Sequence, residues 1–224
     1  MAVHQDPAST VPDESAAHTA ERGRPERRAD MLKQVADHIL VHGVAQTSLR
    51  DLSRAAGCTN RMLLYYFGSR ENLLLQALES LESKFPRMRL VGPRLTETRR
   101  PLIQRLDRAW MELGAPENLP QQRLFFHIFG LAGFEHKPEW DIMLESLDTF
   151  MLQPLRETLT HDGLTDRTAG VVSKQIVALW RGLQVMLVSH APRAEVERVR
   201  EAGHHAVLAQ VEQLLDHEGR ETPR

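Results

Sequence analysis

The 224-residue sequence is short of several things that would direct a reading elsewhere. A single cysteine, Cys58, excludes an intrachain disulfide framework and fits a reducing compartment. No apolar run approaches the ~18 residues of a membrane span, so no transmembrane helix is expected. The opening MAVHQDPAST has neither the basic n-region nor the apolar core of a secretory signal, and a soluble cytoplasmic protein is the expectation. No alternating stretch reads as a strand, and no internal repeat is evident. A Ser-centred nucleophile motif, a phosphate-binding glycine loop and a convincing carboxylate pair are all missing. His38 and His42 stand four apart, but with no Glu between them and no third ligand they do not make a metal site. No metal, no cofactor and no enzymatic activity are therefore expected. A small all-helical enzyme using His127 and Asp141 ranks well behind the other readings.

Net charge is also nearly absent, at −2, but its distribution is uneven. Residues 1–20 carry Asp6, Asp13 and Glu14 with no Lys or Arg. Residues 21–76 hold nine basic side chains against six acidic ones. DNA binding needs only local neutralisation of phosphates, so an acidic whole chain is no obstacle.

What is present is helical periodicity, and it is most informative between Gly43 and Leu78. Ser48 and Asp51 have the spacing of a capping box, after which Leu49, Leu52 and Ala56 recur three and four apart. Gly57 leaves that helix, and Thr59 caps a second one that turns Leu63, Tyr66 and Phe67 inward. Its other face carries Asn60, Arg61, Met62 and Tyr65. Ser69 restarts the pattern with Leu73, Leu74, Ala77, Leu78 and Leu81. Helices this short are marginal alone and must pack on a neighbour. Glu26 to His42 supplies one, with ridges Met31, Val35, Ile39 and Leu32, Ala36, Leu40. The product is a three-helix head whose second short helix is free to enter a major groove.

These residues closely resemble the TetR family of bacterial transcriptional regulators. The matching elements are Gly43, Thr47-Ser48, Asp51-Leu52-Ser53, Ala56-Gly57-Cys58-Thr59, Leu63-Leu64-Tyr65-Tyr66-Phe67 and Ser69-Arg70-Glu71-Asn72-Leu73. The resemblance implies a DNA-binding face drawn from Thr47, Ser48, Arg50, Thr59, Asn60, Arg61, Met62, Tyr65, Tyr66 and Arg70. Two departures bear on specificity. Leu64 replaces a usual tyrosine, removing a hydroxyl from the phosphate contacts. Arg61 and Met62 place a cationic fork and an apolar side chain where relatives often have Gly and Thr, suited to a guanine edge and a thymine methyl. Cys58 is read as filling a small apolar slot rather than sensing oxidants.

Four segments are expected: a disordered polar tail over 1–23, the DNA-binding head over 24–76, a helical effector-binding and dimerisation domain over 77–217, and a short tail over 218–224. The fold is expected to be all-α with about nine helices. The Arg22 to Arg28 stretch is either a solvated helix entry or an arm that touches phosphates. Gly92-Pro93 marks a break, and Pro154 a kink or boundary. Near the C-terminus Val172, Ile176, Leu179, Leu183 and Leu187, with Val199, Ala206, Val211 and Leu214, look like an interface with a second copy, as the resemblance also implies. A dimer would read a palindromic operator in double-stranded DNA. In the middle, Trp110, Phe126, His127, Phe129, Met143, Phe150, Trp180 and Met186 are candidates to line a site for a small apolar or aromatic effector. The expected protein is a dimeric regulator, most simply a repressor released by that effector. Control by a protein partner is the alternative.

Overall fold

The computed structural model describes residues 14–45, 47–135 and 138–221, with side chains described for 25–45, 47–81, 83–134 and 150–218. Among the described residues ten α-helices follow one another: α1 Glu14–His42, α2 Leu49–Ala55, α3 Asn60–Phe67, α4 Arg70–Leu81, α5 Val91–Leu95, α6 Leu102–Leu113, α7 Leu119–Glu135, α8 Pro138–His161, α9 Asp166–Val188 and α10 Arg193–Glu221. No strand occurs among the described residues. The fold is all-α, as expected, with one helix more than anticipated. The extra element is α5, which holds Gly92 and Pro93 inside it. Burial of Val91 and Leu95 in the core offsets what those two residues cost a helix.

Two further boundaries differ. α1 begins at Glu14, so the backbone of 14–23 is helical rather than an unstructured tail; residues 1–13 lie outside the described residues, as do 222–224. α8 runs through Pro154 to His161 without a boundary. Met151, Leu155 and Leu159 on either side of Pro154 are buried in the core, and that packing outweighs the lost hydrogen bond.

Two apolar cores organise the chain. One gathers Met31, Val35, Ile39, Leu52, Leu63, Phe67, Leu73, Leu74 and Leu81 from α1–α4, as the ridges predicted. It also takes Leu124, Ile128 and Ala132 from α7. The other is built on α5, α6, α8, α9 and α10 around Leu106, Trp110, Leu155, Ile176 and Trp180. Each fully buried Leu or Ile contributes about 1.5–3 kcal/mol over an exposed one. α9 is long and apolar enough in composition to cross a membrane, contrary to expectation, with a mean hydropathy of 1.3 over its best window. In the fold it is a core helix, with Val172, Ile176, Trp180 and Leu183 buried against its neighbours.

Candidate nucleic-acid interface

The reading head is assembled by caps. Ser48 Oγ accepts from the Asp51 amide at 3.2 Å while Asp51 Oδ2 accepts from the Ser48 amide at 3.1 Å, the reciprocal box that the spacing predicted. These bonds hold the Asp51 carboxyl below its usual range, the Ser48 hydroxyl bond being the largest cause. Gly57, at φ +59°, turns the chain, and the Cys58 amide reaches back to the Ser53 carbonyl at 2.9 Å. Thr59 Oγ1 then accepts from the Met62 amide at 3.2 Å to start α3. Burial pushes the Cys58 thiol above its ordinary value.

α3 buries Leu63 and Phe67 and turns Asn60, Arg61, Leu64 and Tyr65 outward. Tyr65 is 66% exposed; Met62 and Tyr66 are half-buried beside it. Arg61 is exposed, with no bond or ion pair among the described residues. Arg50 stands exposed on α2. Asn60, Arg61, Tyr65 and Arg50 thus form an outward surface that a duplex can meet.

Two residues expected on that surface are engaged inside the head. Thr47 is only 4% exposed, and its hydroxyl donates to the Gly43 carbonyl at 2.8 Å. Arg70, opening α4, donates through Nε to the Thr47 carbonyl at 3.1 Å and through Nη2 to the Val44 carbonyl at 2.9 Å. It staples the α1–α2 turn, because the Val44 and Thr47 carbonyls lie outside any helix ladder. Arg28 is also engaged: its guanidinium lies 4.8 Å from the Phe67 ring centroid and bonds Gln76. Of the basic stretch considered as an arm, Arg28 therefore belongs to the head's own packing, while the side chains of Arg22 and Arg24 lie outside the described residues.

The effector candidates do not converge on one cavity. Trp110 and Trp180 are buried neighbours, ring centroids 6.4 Å apart, with indole N–H groups already donating to Glu197 and His204. Phe129 is 57% exposed, and Met143 lies outside the described side chains. His127 faces the head instead, against Gly43. Phe126, Phe150 and Met186 are half-buried. Two surface grooves, of about 530 and 450 Å³, include none of these residues.

The expected interface residues are likewise mostly interior. Val172, Ile176, Leu183, Leu187 and Val211 are buried in their own chain's core, and Leu179 packs against Gly203 where α9 crosses α10. Leu214 is half-buried there too; Val199 and Ala206 alone are exposed. That placement has a simple cause: the most apolar stripe of each helix serves the chain's own core. The faces left exposed are Val171, Gln175, Ala178, Gly182 and Val185 on α9, and Val199, Ala202, Ala206 and Ala209 on α10. Both repeat at three and four, and apart from Gln175 they consist of Gly, Ala and Val.

Comparison with known proteins identifies the head. Residues 36–77 match the family of bacterial regulatory proteins, tetR family. The head is similar to that of the TetR family. The matched residues run from α1 to α4 and contain the caps, turn and recognition helix described above. Among solved structures, a TetR-family transcriptional regulator from Rhodococcus sp. aligns at 20% identity with a TM-score of 0.59, covering 83% of this chain and 98% of its own. A transcriptional regulator from Rhodococcus sp. Rha1 aligns at 16% and 0.60, covering 84% and 96%. A regulator from Saccharomonospora viridis, in complex with choline, aligns at 18% and 0.59, covering 81% and 95%. At these identities the likeness is one of fold. No curated protein matches the chain. A TetR head on an all-helical body makes the protein a DNA-binding transcriptional regulator.

Proposed function

We propose that this TetR-family protein is a cytoplasmic homodimeric repressor that reads a palindromic operator and is released by a small organic effector. The observation that carries the dimer is the pair of small-residue faces on α9 and α10, exposed and repeating at three and four. Such faces allow close helix approach, and a twofold copy would bury both in a four-helix arrangement. Two copies of α3 then meet two half-sites on one side of a duplex. Within the head, Arg61 is the base reader, flanked by Asn60, Met62 and Tyr65, with Arg50 on phosphate.

The effector would enter the body, where Phe126, Phe150 and Met186 remain half-buried candidates. The choline held by the Saccharomonospora viridis regulator supports a small organic molecule as the class. Effector and operator would weaken each other equally, by linkage.

The test is selection of bound duplexes from a random-sequence pool, followed by measurement of stoichiometry. A palindromic consensus holding two protomers is expected. A non-palindromic site holding one protomer would overturn the dimeric reading, and activation of a reporter from that site would overturn repression.

A further inference from the structure

We infer that His127 is a positioning residue, a strut through which the body fixes the angle of the reading head. The inference rests on the dimeric reading proposed above. α7 is engaged on two sides at once. Leu124, Ile128 and Ala132 are buried in the head's core. On the other side, the guanidinium of Arg181 on α9 lies 4.0 Å from the Phe125 ring centroid. The start of α7 is tied to α6, since Gln122 Nε2 donates to the Leu113 carbonyl at 2.8 Å. α7 therefore connects α9, the helix offered to a second copy, with the DNA-reading unit.

His127 stands on the head side of that connector, and its ring fills the place where a side chain at residue 43 would go. A Cβ on Gly43 would lie 2.4 Å from His127 Nδ1 and 2.6 Å from Cε1. Gly43 has φ +74° and ends α1. The turn it begins is tied at both ends, because Thr47 bonds its carbonyl and Arg70 holds the carbonyls of Val44 and Thr47. Ser48, the cap of α2, follows directly. A force applied at Gly43 is thus delivered to α2 and α3 as a unit rather than absorbed locally. His127 itself is only half-buried, and Leu124 and Ile128 close the head's core beside it. Losing the ring leaves the head folded and frees its angle.

Bivalent binding exposes that freedom, because the second head engages at an effective concentration set by geometry. The experiment compares wild type, His127→Ala and His127→Phe on the selected palindrome, on an isolated half-site, and on palindromes of altered spacing, with thermal melts as a check on folding. For His127→Ala we expect half-site affinity within about twofold of wild type, full-site affinity lower by about tenfold or more, and a flattened dependence on spacing. His127→Phe, which keeps a planar ring, restores both. Equal losses on half-site and full site would overturn the strut in favour of a role in folding the head, and so would unchanged binding of both. If wild type itself binds the palindrome no better than a half-site, the dimeric reading fails and the strut falls with it, an outcome distinct from normal wild-type behaviour with a silent variant.

Discussion

The indole N–H of Trp180 donates to Nε2 of His204 across 2.9 Å in the interior of the body. That bond leaves Nδ1 to carry the proton, which it donates to Asp107 Oδ1 at 2.8 Å. One residue each from α9, α10 and α6 is joined at a point with no exposure at His204. A doubly protonated ring would lose the Trp180 bond, since both nitrogens would then be donors.

Stability should consequently fall in mild acid. Burial, the largest influence, lowers the His204 pKa from its ordinary 6.5, opposed by the hydrogen bond and charge of Asp107; Arg200 lowers it further and Glu197 raises it. A lowered pKa means the unfolded chain binds the proton more readily, so the contribution is complete above 6.5 and is lost as pH falls from there through the depressed value. Thermal melts at about pH 7.5 and about pH 5.5 should show a drop that His204→Gln, which stays neutral, reduces.

Arg70→Met should destabilise the head by about 1–3 kcal/mol, because it removes the side-chain partner of the Thr47 carbonyl and leaves the Val44 carbonyl only the long bond from the Thr47 amide. Operator affinity should fall through unfolding and recover on cooling. A change in the salt slope of binding by about one unit would instead return Arg70 to the phosphate contacts.

Arg61→Ala should relax preference at one base pair of each half-site, by about 1–3 kcal/mol of discrimination, while leaving the melting temperature unchanged. Competition binding against single-base operator variants reads this directly. A uniform loss across all variants would make Arg61 a phosphate contact.

Arg105→Met should cost about 3 kcal/mol, the low end for breaking a buried pair, because its partner Asp162 keeps some contact with water. The guanidinium is 2% exposed and bonds both Asp162 and Thr158, whose hydroxyl donates on to the Leu95 carbonyl at 2.8 Å. Chemical denaturation measures the loss, and restoring most of it with the second change Asp162→Asn would confirm the pair as the cause.

Gly182→Glu separates dimer from fold. A Cβ at Gly182 meets nothing within 4 Å in the chain, so the protomer should melt no lower than wild type. Two carboxylates brought together across a twofold should raise the dimer dissociation constant by more than about tenfold, as sedimentation would show.

Local chemistry decided the head. The Ser48–Asp51 box, the Gly57 turn and the Thr59 cap each depend on residues three or four apart, so their spacing in the chain already contains their geometry. The inward residues Leu52, Leu63 and Phe67 follow from the same short-range period. Contacts between distant segments do not work this way. Leu183 and Val171 sit on one helix, and both are apolar, yet only packing against α6, α8 and α10 assigns the first to the interior and leaves the second outside. Arg70 looks like a phosphate contact until the fold brings it to the Val44 and Thr47 carbonyls, more than twenty positions away. His127 looks like part of a ligand site until α7 docks on α1 and sets its ring over Gly43. Periodicity records how apolar a face is, whereas the partner that covers that face is settled by which surfaces meet once the whole chain has packed.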